Sequence, residues 1–361
     1  MTAPEPALLV LCDGEVFEGE AVGAPAPVAS GEVVFNTVLS GYQEVISDPS
    51  YAGQIVAFTY PHIGNYGTNA DDSEAARPRC RGVIVRDLAR RHSNWRATGS
   101  LDDYLRRHGI GGITGIDTRR LTRHIRDAGA MPGAFGTADE ATLLAAARAE
   151  PGTSGVDLVG EVTTSEPYTA GTGPRRVVAY DLGIKSTILS CLGEVATVTV
   201  VPAHTPADAV LARRPDGVFF SNGPGDPELA GPAIEALRDL VGTVPVFGIC
   251  LGHQLLALAL GGRTFKMRFG HHGGNVPVRC TATGRIEITS QNHNFAVEPG
   301  SVPGVTETHV CLNDSALEGL SVDGADAFGV QYHPEAGPGP HDARHHFAAF
   351  AEMMDRCRVS A

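Results

Sequence analysis

The sequence predicts an α/β protein with two domains, and three observations support this prediction. The chain has 361 residues, for which two hydrophobic cores are the natural expectation. From residue 176 onward short apolar runs alternate with helical patterns, which is typical of a mostly parallel sheet covered by helices on both faces. Residues 1–150 mix strand and helix patterns without that alternation and are predicted to be a mixed α/β domain. Residues 151–175 are rich in Gly, Thr, Ser and Pro, so they are predicted to link it to the domain at 176–361.

Composition excludes several classes of protein. The chain is 42% hydrophobic with a net charge of -13, which argues against nucleic acid or an anionic membrane as a partner. No apolar stretch reaches membrane-spanning length and the N-terminus lacks a signal-peptide pattern, so we expect a cytoplasmic protein. Seven cysteines form no C-x-x-C pair, which fits a reducing compartment. The two lysines, Lys185 and Lys266, do not follow a glycine, which excludes a phosphate-binding P-loop.

Strand patterns open the first domain. LLVLCDGEVFEGE, at 8–20, reads as a hairpin whose two-residue turn is Asp13-Gly14. GEVVFNT at 31–37 and QIVAFTYP at 54–61 are predicted to be further strands because they are rich in β-branched and aromatic residues.

Capping signals place three helices in the same domain. Ser100 can cap a helix that ends at Gly109, and Asp117 can cap a second one that ends at Gly129. Thr137 to Glu140 form a capping-box pattern before an alanine-rich helix.

Strand and helix alternate in the second domain. Predicted strands are RVVAYD (176–181), VATVTVV (195–201), GVFFSN (217–222) and the apolar run that ends at Cys250. Predicted helices follow each of them, to about 192, from Pro206, at about 232–241 and after Cys250. Ligands of such sheets bind beyond the carboxyl ends of the strands.

A candidate nucleophile stands at one of these strand ends, in PVFGICLGHQLLAL (245–258). Gly248 and Gly252 flank Cys250 in the G-x-nucleophile-x-G pattern of a sharp strand-to-helix turn. The following helix directs free N–H groups and a partial positive charge at the sulfur, which favours the nucleophilic thiolate. A buried cysteine that only packs is the competing interpretation.

A candidate base follows the apolar strand 328–332. His333 is succeeded by Pro334, which ends regular pairing, and by Glu335, whose carboxylate can orient the imidazole. A solvent-facing turn is the alternative. His253 is a rival base, but its place at the start of the helix is expected to aim it away from Cys250.

A glycine-rich loop, SNGPGDP at 221–227, is the third candidate part of a catalytic site, after Cys250 and the His333–Glu335 pair. Its exposed N–H groups can bind a carboxylate or a developing oxyanion, whereas a plain turn is the alternative. No metal site is expected at the pairs His271/His272 and His345/His346, because adjacent side chains on a strand or helix usually point apart.

These motifs resemble a known family. GICLGHQLL, SNGPGDP and the His333–Glu335 strand end resemble the class I glutamine amidotransferases over the whole second half. The stretches at 33–69, 115–135, 270–278, 290–297 and 308–314 are similar to small subunits of carbamoyl-phosphate synthase, so the resemblance runs nearly end to end.

The resemblance implies a mechanism and a set of site residues. Cys250 would attack the carboxamide carbon of L-glutamine, His333 would relay protons and Glu335 would orient it, through a γ-glutamyl thioester. Backbone N–H groups of Gly225 and Leu251 would form the oxyanion hole. The implied glutamine-binding residues are Ser50, Gly223, Gly225, Leu251, Gln254, Asn292, Asn294 and Phe295. Asn294 departs from the glycine usual there, and asparagine tolerates a left-handed backbone better than most residues.

The resemblance also implies a partner. A large subunit, in a heterodimer or a larger assembly, would receive the ammonia through a protected tunnel. It would make carbamoyl phosphate from bicarbonate and ATP, for pyrimidine and arginine synthesis. ATP and Mg²⁺ would belong to that subunit and no cofactor is expected in this chain, which shows no ATP-binding motif.

Two other functions compete with this one. A glutaminase serving another synthase, such as anthranilate or GMP synthesis, would share the second half, but 33–69 argues against it. A catalytically dead regulatory subunit is disfavoured because all three triad positions are present.

Overall fold

The computed structural model describes residues 5–360, with side chains through Arg358. Contacts between residues divide the chain into two compact units. The first contains the residues up to Val156 together with Arg268–His272, and the second contains Asp157–Met267 and the residues from Gly273 onward. The short insertion 268–272 in the first unit is a long-range feature that the sequence pattern does not indicate.

A closed barrel forms the centre of the first unit, with strand order β1-β2-β8-β6-β4-β3-β9. The strands are β1 (Pro6–Leu11), β2 (Val16–Gly23), β3 (Ala29–Asn36), β4 (Gln54–Phe58), β5 (His62–Ile63), β6 (Gly82–Ile84), β7 (Asp87–Leu88), β8 (Gly111–Thr114) and β9 (Met131–Gly136). The helices are α1 (Tyr42–Ser47), α2 (Leu101–His108), α3 (Thr118–Ala128) and α4 (Glu140–Ala149), with a 3₁₀ helix at Pro49–Tyr51. Strands β5 and β7 form a separate two-stranded sheet.

The predicted hairpin is confirmed, with a longer loop. Strands β1 and β2 pair antiparallel up to Val10 and Val16. Gly14, at φ 96°, and Asp13 lie within the loop, which Leu11 closes by donating its N–H to the Glu15 carbonyl at 2.9 Å. Both predicted strands that follow are present as β3 and β4.

Two of the three predicted caps are confirmed. The Ser100 side chain accepts from the Asp103 N–H, and Asp117 accepts from that of Arg120. The predicted capping box at Thr137 is wrong: Asp139 caps α4 by accepting from Thr142 at 2.9 Å. The helix starts two residues later than the pattern indicates because the carboxylate of Asp139 is the better-placed acceptor.

The second unit alternates strands and helices. Its strands are β10 (Tyr168–Ala170), β11 (Arg175–Asp181), β12 (Ala196–Pro202), β13 (Gly217–Phe220), β14 (Val246–Ile249), β15 (Thr264–Cys280), β16 (Ile286–Val297), β17 (Val305–Cys311), β18 (Leu317–Val322) and β19 (Ala327–Val330). Its helices are α5 (Val159–Val162), α6 (Ser186–Val195), α7 (Ala207–Leu211), α8 (Gly231–Leu240), α9 (Leu251–Ala259) and α10 (His345–Ser360), with a 3₁₀ helix at Pro227–Leu229. The segment 151–175, predicted to be a linker, contains α5 and β10. Strand β10 belongs to the sheet of the second unit, because it pairs antiparallel with β12.

A ten-stranded sheet organises this unit, in the order β10-β12-β11-β13-β14-β19-β18-β17-β15-β16. The five neighbours from β12 to β19 run parallel, as the sequence predicts. The pairs β10–β12, β19–β18, β18–β17 and β17–β15 are antiparallel. All five parallel strands present their carboxyl ends at one edge, where α/β proteins bind ligands.

Both faces of the parallel strands are buried. Val178 and Tyr180 of β11 pack in one core with residues of α8 and α9, whereas Val177 and Ala179 pack in another with residues of α6 and α10. This alternation follows from the two-residue period of a strand. None of the helices in residues 5–360 is both long and apolar enough to cross a membrane.

Candidate active site

Four segments that follow parallel strands form the site. Cys250 follows β14, His333 comes three residues after β19, Ser221 follows β13 and Lys185 comes four residues after β11. These strands are neighbours in the sheet, in the order β11-β13-β14-β19. Their carboxyl ends consequently bring residues that are up to 150 positions apart in sequence to one edge.

Cys250 adopts a strained backbone conformation at the turn into α9. Its φ is 53° and its ψ -102°, in a region that non-glycine residues rarely occupy. The turn is held by the Cys250 N–H, which donates to Val330 at 2.9 Å, and by the Cys250 carbonyl, which accepts from Gln254. The thiol is buried and lies 3.5 Å from the Asn292 carbonyl oxygen, to which it donates.

The two flanking glycines are sterically required. A Cβ on Gly248 would lie 2.6 Å from the Gly252 carbonyl, and one on Gly252 would lie 2.2 Å from the Phe220 carbonyl oxygen. Both distances are shorter than any real Cβ contact. The close approach of α9 to the ends of β13 and β14 therefore explains the G-x-C-x-G pattern.

His333 and Glu335 form a buried pair. Nδ1 of His333 lies 2.6 Å from Oε1 of Glu335, and both side chains are almost fully buried. Because the carboxylate can only accept, Nδ1 donates and Nε2 is left for proton transfer. The backbone N–H of His333 donates to Ser290 at 2.9 Å, which fixes the segment after β19.

The electrostatics of this pair favour its charged form. Burial lowers the pKa of His333, but the Glu335 carboxylate and the nearby Cys250 thiol raise it, and the net result is a pKa of about 10. Burial raises the pKa of Glu335, but Lys185 and His333 lower it to about 2. His333 is therefore poised to hold a proton beside Cys250 at neutral pH.

Lys185 is a residue that sequence reasoning missed. Its Nζ donates to Oε1 of Glu335 at 2.9 Å, to the Ala336 carbonyl at 2.7 Å and to the Gly337 carbonyl at 2.8 Å. The side chain is buried, so a compact ammonium with three donors satisfies the carboxylate away from water. The sequence does hold one sign that Lys185 is special: lysine is rare in this chain, which uses arginine for nearly all other positive charge.

Gln331 was also missed. Its Nε2 donates to the Cys250 sulfur at 3.6 Å, and its Oε1 accepts from Nε2 of Gln254 at 3.0 Å. Gln254 also donates to the Phe295 carbonyl at 2.8 Å. Three of the predicted substrate-binding residues, Gln254, Asn292 and Phe295, therefore share a hydrogen-bonded network with the cysteine.

The loop at 221–227 packs against the start of α9. Gly252 donates its N–H to the Ser221 carbonyl at 3.0 Å. Gly223 is tightly enclosed, since a Cβ there would lie 2.1 Å from the Leu182 carbonyl oxygen, and Gly225 has a φ of 87°. Leu251 is the first residue of α9, where the N–H has no partner within the helix.

Three further residues named in the sequence analysis are Ser50, Asn294 and the rival base His253. Ser50 belongs to the first unit, within the 3₁₀ helix at Pro49–Tyr51, where its N–H donates to Asp48 Oδ1 at 2.8 Å. Asn294 lies within the regular strand β16 and has no positive φ, so its tolerance of a left-handed backbone is not needed. Burial lowers the pKa of the rival base His253 to about 3, too low for a base at neutral pH.

Comparisons with known proteins match both halves of the chain. Residues 9–135 match the family model described as "Carbamoyl-phosphate synthase small chain, CPSase domain", and residues 178–353 match "Glutamine amidotransferase class-I".

Three proteins named "Carbamoyl phosphate synthase small chain" are similar over nearly their full length. The one from Syntrophotalea carbinolica is 54% identical, covering 98% of this chain and 99% of its own. The one from Thioalkalivibrio sulfidiphilus is 52% identical, covering 97% of each chain, and the one from Pseudomonas aeruginosa is 51% identical, covering 97% and 98%. With the geometry at Cys250, these matches show that the chain belongs to the family of carbamoyl phosphate synthase small chains, the amidotransferase subunits of glutamine-hydrolysing carbamoyl-phosphate synthases.

Proposed function

We propose that this chain hydrolyses L-glutamine to glutamate and ammonia through a thioester on Cys250 and passes the ammonia to a large synthase subunit. The observation that carries the proposal is the buried His333–Glu335 pair, 2.6 Å between Nδ1 and Oε1, beside a cysteine held in a strained turn. A nucleophile, a base and a group that orients the base are the three parts of a covalent amide-cleaving site.

The first half-reaction forms the thioester. The Cys250 sulfur attacks the carboxamide carbon after its proton has moved to His333, so the site reacts as a thiolate–imidazolium pair. The tetrahedral intermediate collapses by breaking the C–N bond, and His333 gives its proton to the leaving nitrogen, which departs as ammonia. Glu335 supports this role because it holds Nδ1–H and stabilises the charged ring.

The second half-reaction releases glutamate. His333 takes a proton from water, the water oxygen attacks the thioester carbon, and the C–S bond breaks to regenerate the thiolate. In both steps the developing oxyanion would be stabilised by the backbone N–H groups of Gly225 and Leu251. The open N–H of Leu251 at the start of α9 supports this, because a helix N-terminus favours negative charge.

Substrate binding is proposed for residues around the cysteine. Gly223, Gly225, Leu251, Gln254, Asn292, Asn294 and Phe295 would hold the glutamine in the second unit, and Ser50 would contribute from the first. The enclosed position of Gly223 and the hydrogen bonds of Gln254 to Phe295 and Gln331 support a preorganised pocket.

The ammonia is proposed to serve the synthesis of carbamoyl phosphate from bicarbonate and ATP, for pyrimidine and arginine synthesis. Residues 178–353 match an amidotransferase model and 9–135 match the small-chain model, which supports assigning the ATP-dependent steps to a partner. ATP and Mg²⁺ would be bound by that large subunit, in a cytoplasmic heterodimer or an assembly of heterodimers, and ammonia would be channelled to it.

Glutamine hydrolysis by the purified chain, with and without a carbamoyl phosphate synthase large subunit, tests this proposal. The expected results are stimulation by the large subunit and glutamine-dependent carbamoyl phosphate. We expect Cys250→Ser to abolish glutamine use while the complex retains synthesis from added ammonia.

A matched control is Cys191→Ser on α6, which changes another buried thiol and should leave glutamine use intact. If Cys250→Ser lost the ammonia-dependent synthesis as well, the cysteine would not be acting in ammonia supply alone. If the large subunit left hydrolysis unchanged, the partner assignment would be wrong.

A further inference from the structure

A cluster of two histidines and a carboxylate lies in the second unit and contains no member of the proposed catalytic triad. Glu287 belongs to β16, and His345 and His346 are the first residues of α10. One possible ligand atom of each residue lies within 4.8 Å of the other two. None of the three takes part in the chemistry proposed for Cys250.

The side chains of this cluster are already close to a shared centre. Nε2 of His345 lies 2.8 Å from Oε1 of Glu287, and the ring centroids of the two histidines are 4.3 Å apart. The expectation that these adjacent histidines point apart is therefore wrong for this pair. The Tyr332 hydroxyl, 2.8 Å from Nε2 of His346, fixes the orientation of the buried ring.

Glu287 supplies an independent indication of a bound cation. Its side chain is only 7% exposed, and its Oε2 is buried without a hydrogen-bond partner among the described residues. Oε1 lies 2.8 Å from Nε2 of His345 and forms an ion pair with the largely exposed Arg285, whose Nε is 3.3 Å away. A buried carboxylate oxygen that lacks a partner is costly, and a cation placed beside it removes that cost.

We propose that Glu287, His345 and His346 form a binding site for a divalent transition metal of the zinc type, with water completing the coordination. Two imidazoles and a carboxylate suit Zn²⁺, whereas Mg²⁺ and Ca²⁺ prefer oxygen ligands alone. Ligand atoms about 2.0–2.1 Å from a tetrahedral Zn²⁺ are about 3.3 Å from each other. The 2.8 Å between His345 and Glu287 is within a small side-chain shift of that value.

The site would clamp the segment that follows the triad. Residues 336–344 run from Glu335 to the start of α10, and they are already tied to β16 by two hydrogen bonds. Ser290 donates to the Pro338 carbonyl at 2.7 Å, and the Ile288 N–H donates to Asp342 at 3.1 Å. A metal joining Glu287 to His345 and His346 adds a third tie, so its role is structural and not catalytic.

Metal binding to the full-length chain tests the proposal. Titration of the chelator-treated protein with Zn²⁺ should show one saturable site, and Co²⁺ should give the visible absorption of a four-coordinate nitrogen–oxygen site. Glu287→Gln and His345→Ala should each weaken binding at least about tenfold, because even outer-sphere changes cost that much. His341→Ala, a nearby exposed histidine outside the cluster, should bind as the wild type does.

Thermal unfolding separates loss of the site from loss of the fold. Zn²⁺ should raise the unfolding midpoint of the wild type, because a ligand that binds only the folded state stabilises it. The same addition should leave Glu287→Gln and His345→Ala unchanged, although both should fold without metal. Equal Zn²⁺ affinity in all variants, no saturable site, or a thiolate-to-Co²⁺ charge-transfer band would overturn the proposal.

Discussion

At the residue scale, Lys185 binds Glu335 of the proposed triad through its ammonium group. Its ammonium is buried and provides one of the two groups that hold Glu335 in its charged form. Replacing it leaves the Glu335 carboxylate and two carbonyl oxygens without their donor, which is expensive in a buried site. Lys185 is thus a positioning residue for Glu335.

We expect Lys185→Met to lower kcat for glutamine hydrolysis by about tenfold to a thousandfold, with a smaller change in KM, because the oriented imidazole is lost. Lys185→Arg should also be impaired, since the planar guanidinium does not fit a pocket built for an ammonium. Steady-state kinetics measure both effects. Lys266→Met, at the only other lysine, is the matched control and should behave as the wild type does. A normal kcat in Lys185→Met would contradict the positioning role.

The His333–Glu335 pair makes a prediction about pH. The raised pKa of His333 adds stability that is present below pH 6.5 and is lost as pH rises through about 10. The lowered pKa of Glu335 adds stability that is present above pH 4.5 and is lost as pH falls toward 2. The charged pair consequently persists between those limits.

Glu335→Gln removes the main cause of the raised His333 pKa. We expect the alkaline limb of the kcat/KM profile to move to lower pH, because the imidazolium then loses its proton earlier. Activity should fall at the same time by about a hundredfold or more. Profiles of both proteins from pH 6 to 10 would show this, and an alkaline limb at the wild-type position in Glu335→Gln would rule out the assigned cause.

At the scale of elements, the strand-to-helix turn depends on two glycines. We expect Gly252→Ala to lower the free energy of unfolding by about 1–3 kcal/mol and to abolish most activity, because its Cβ would lie 2.2 Å from the Phe220 carbonyl oxygen. That contact forces α9 away from β13 and displaces Cys250. Denaturant unfolding and glutamine hydrolysis report the two effects.

Gly231→Ala is the matched control for this element. Gly231 likewise lies in the first turn of a helix, α8, but a Cβ there has no neighbour within 4 Å. It should retain activity and gain a little stability, since alanine has the higher helix propensity. Equal effects of the two substitutions would show that backbone flexibility, and not the close approach, is what the turn requires.

At the scale of the whole molecule, the two units carry separate hydrophobic cores. Leu121 of α3 lies in the barrel core with Ile113 and Phe135, whereas Phe350 of α10 packs on Phe247 in the second unit, with ring centroids 5.6 Å apart. A substitution in either core therefore removes contacts among residues of one unit only.

We expect Leu121→Ala to cost about 2–5 kcal/mol and Phe350→Ala about 3–5 kcal/mol, through the cavities they leave. Hydrogen exchange followed by mass spectrometry should show protection lost mainly in the unit that carries the substitution. Leu39→Ala, at an exposed leucine, is the control and should change neither unit. Equal loss of protection across both units would contradict the separation of the cores.

Local features of the sequence were sufficient for the parts of the site that lie close together along the chain. The glycines around Cys250 and the two-residue spacing of His333 and Glu335 are set by backbone geometry at one turn and one strand end. The helix caps at Ser100 and Asp117 were predictable for the same reason. At the start of α4, however, Thr137 and Asp139 can both act as the capping acceptor, and in the structure Asp139 does so.

Sequence alone therefore determined the strand–helix alternation, the choice of Cys250 and His333 as the proposed nucleophile and base, and the family resemblance. Tertiary structure alone decided that Lys185 and Gln331 join the triad, that the first unit closes as a barrel, and that Glu287 meets His345 and His346. The physical reason is distance along the chain. Neighbouring residues meet through φ/ψ preferences that each residue carries, whereas distant ones meet only through the order in which strands pair in the sheet.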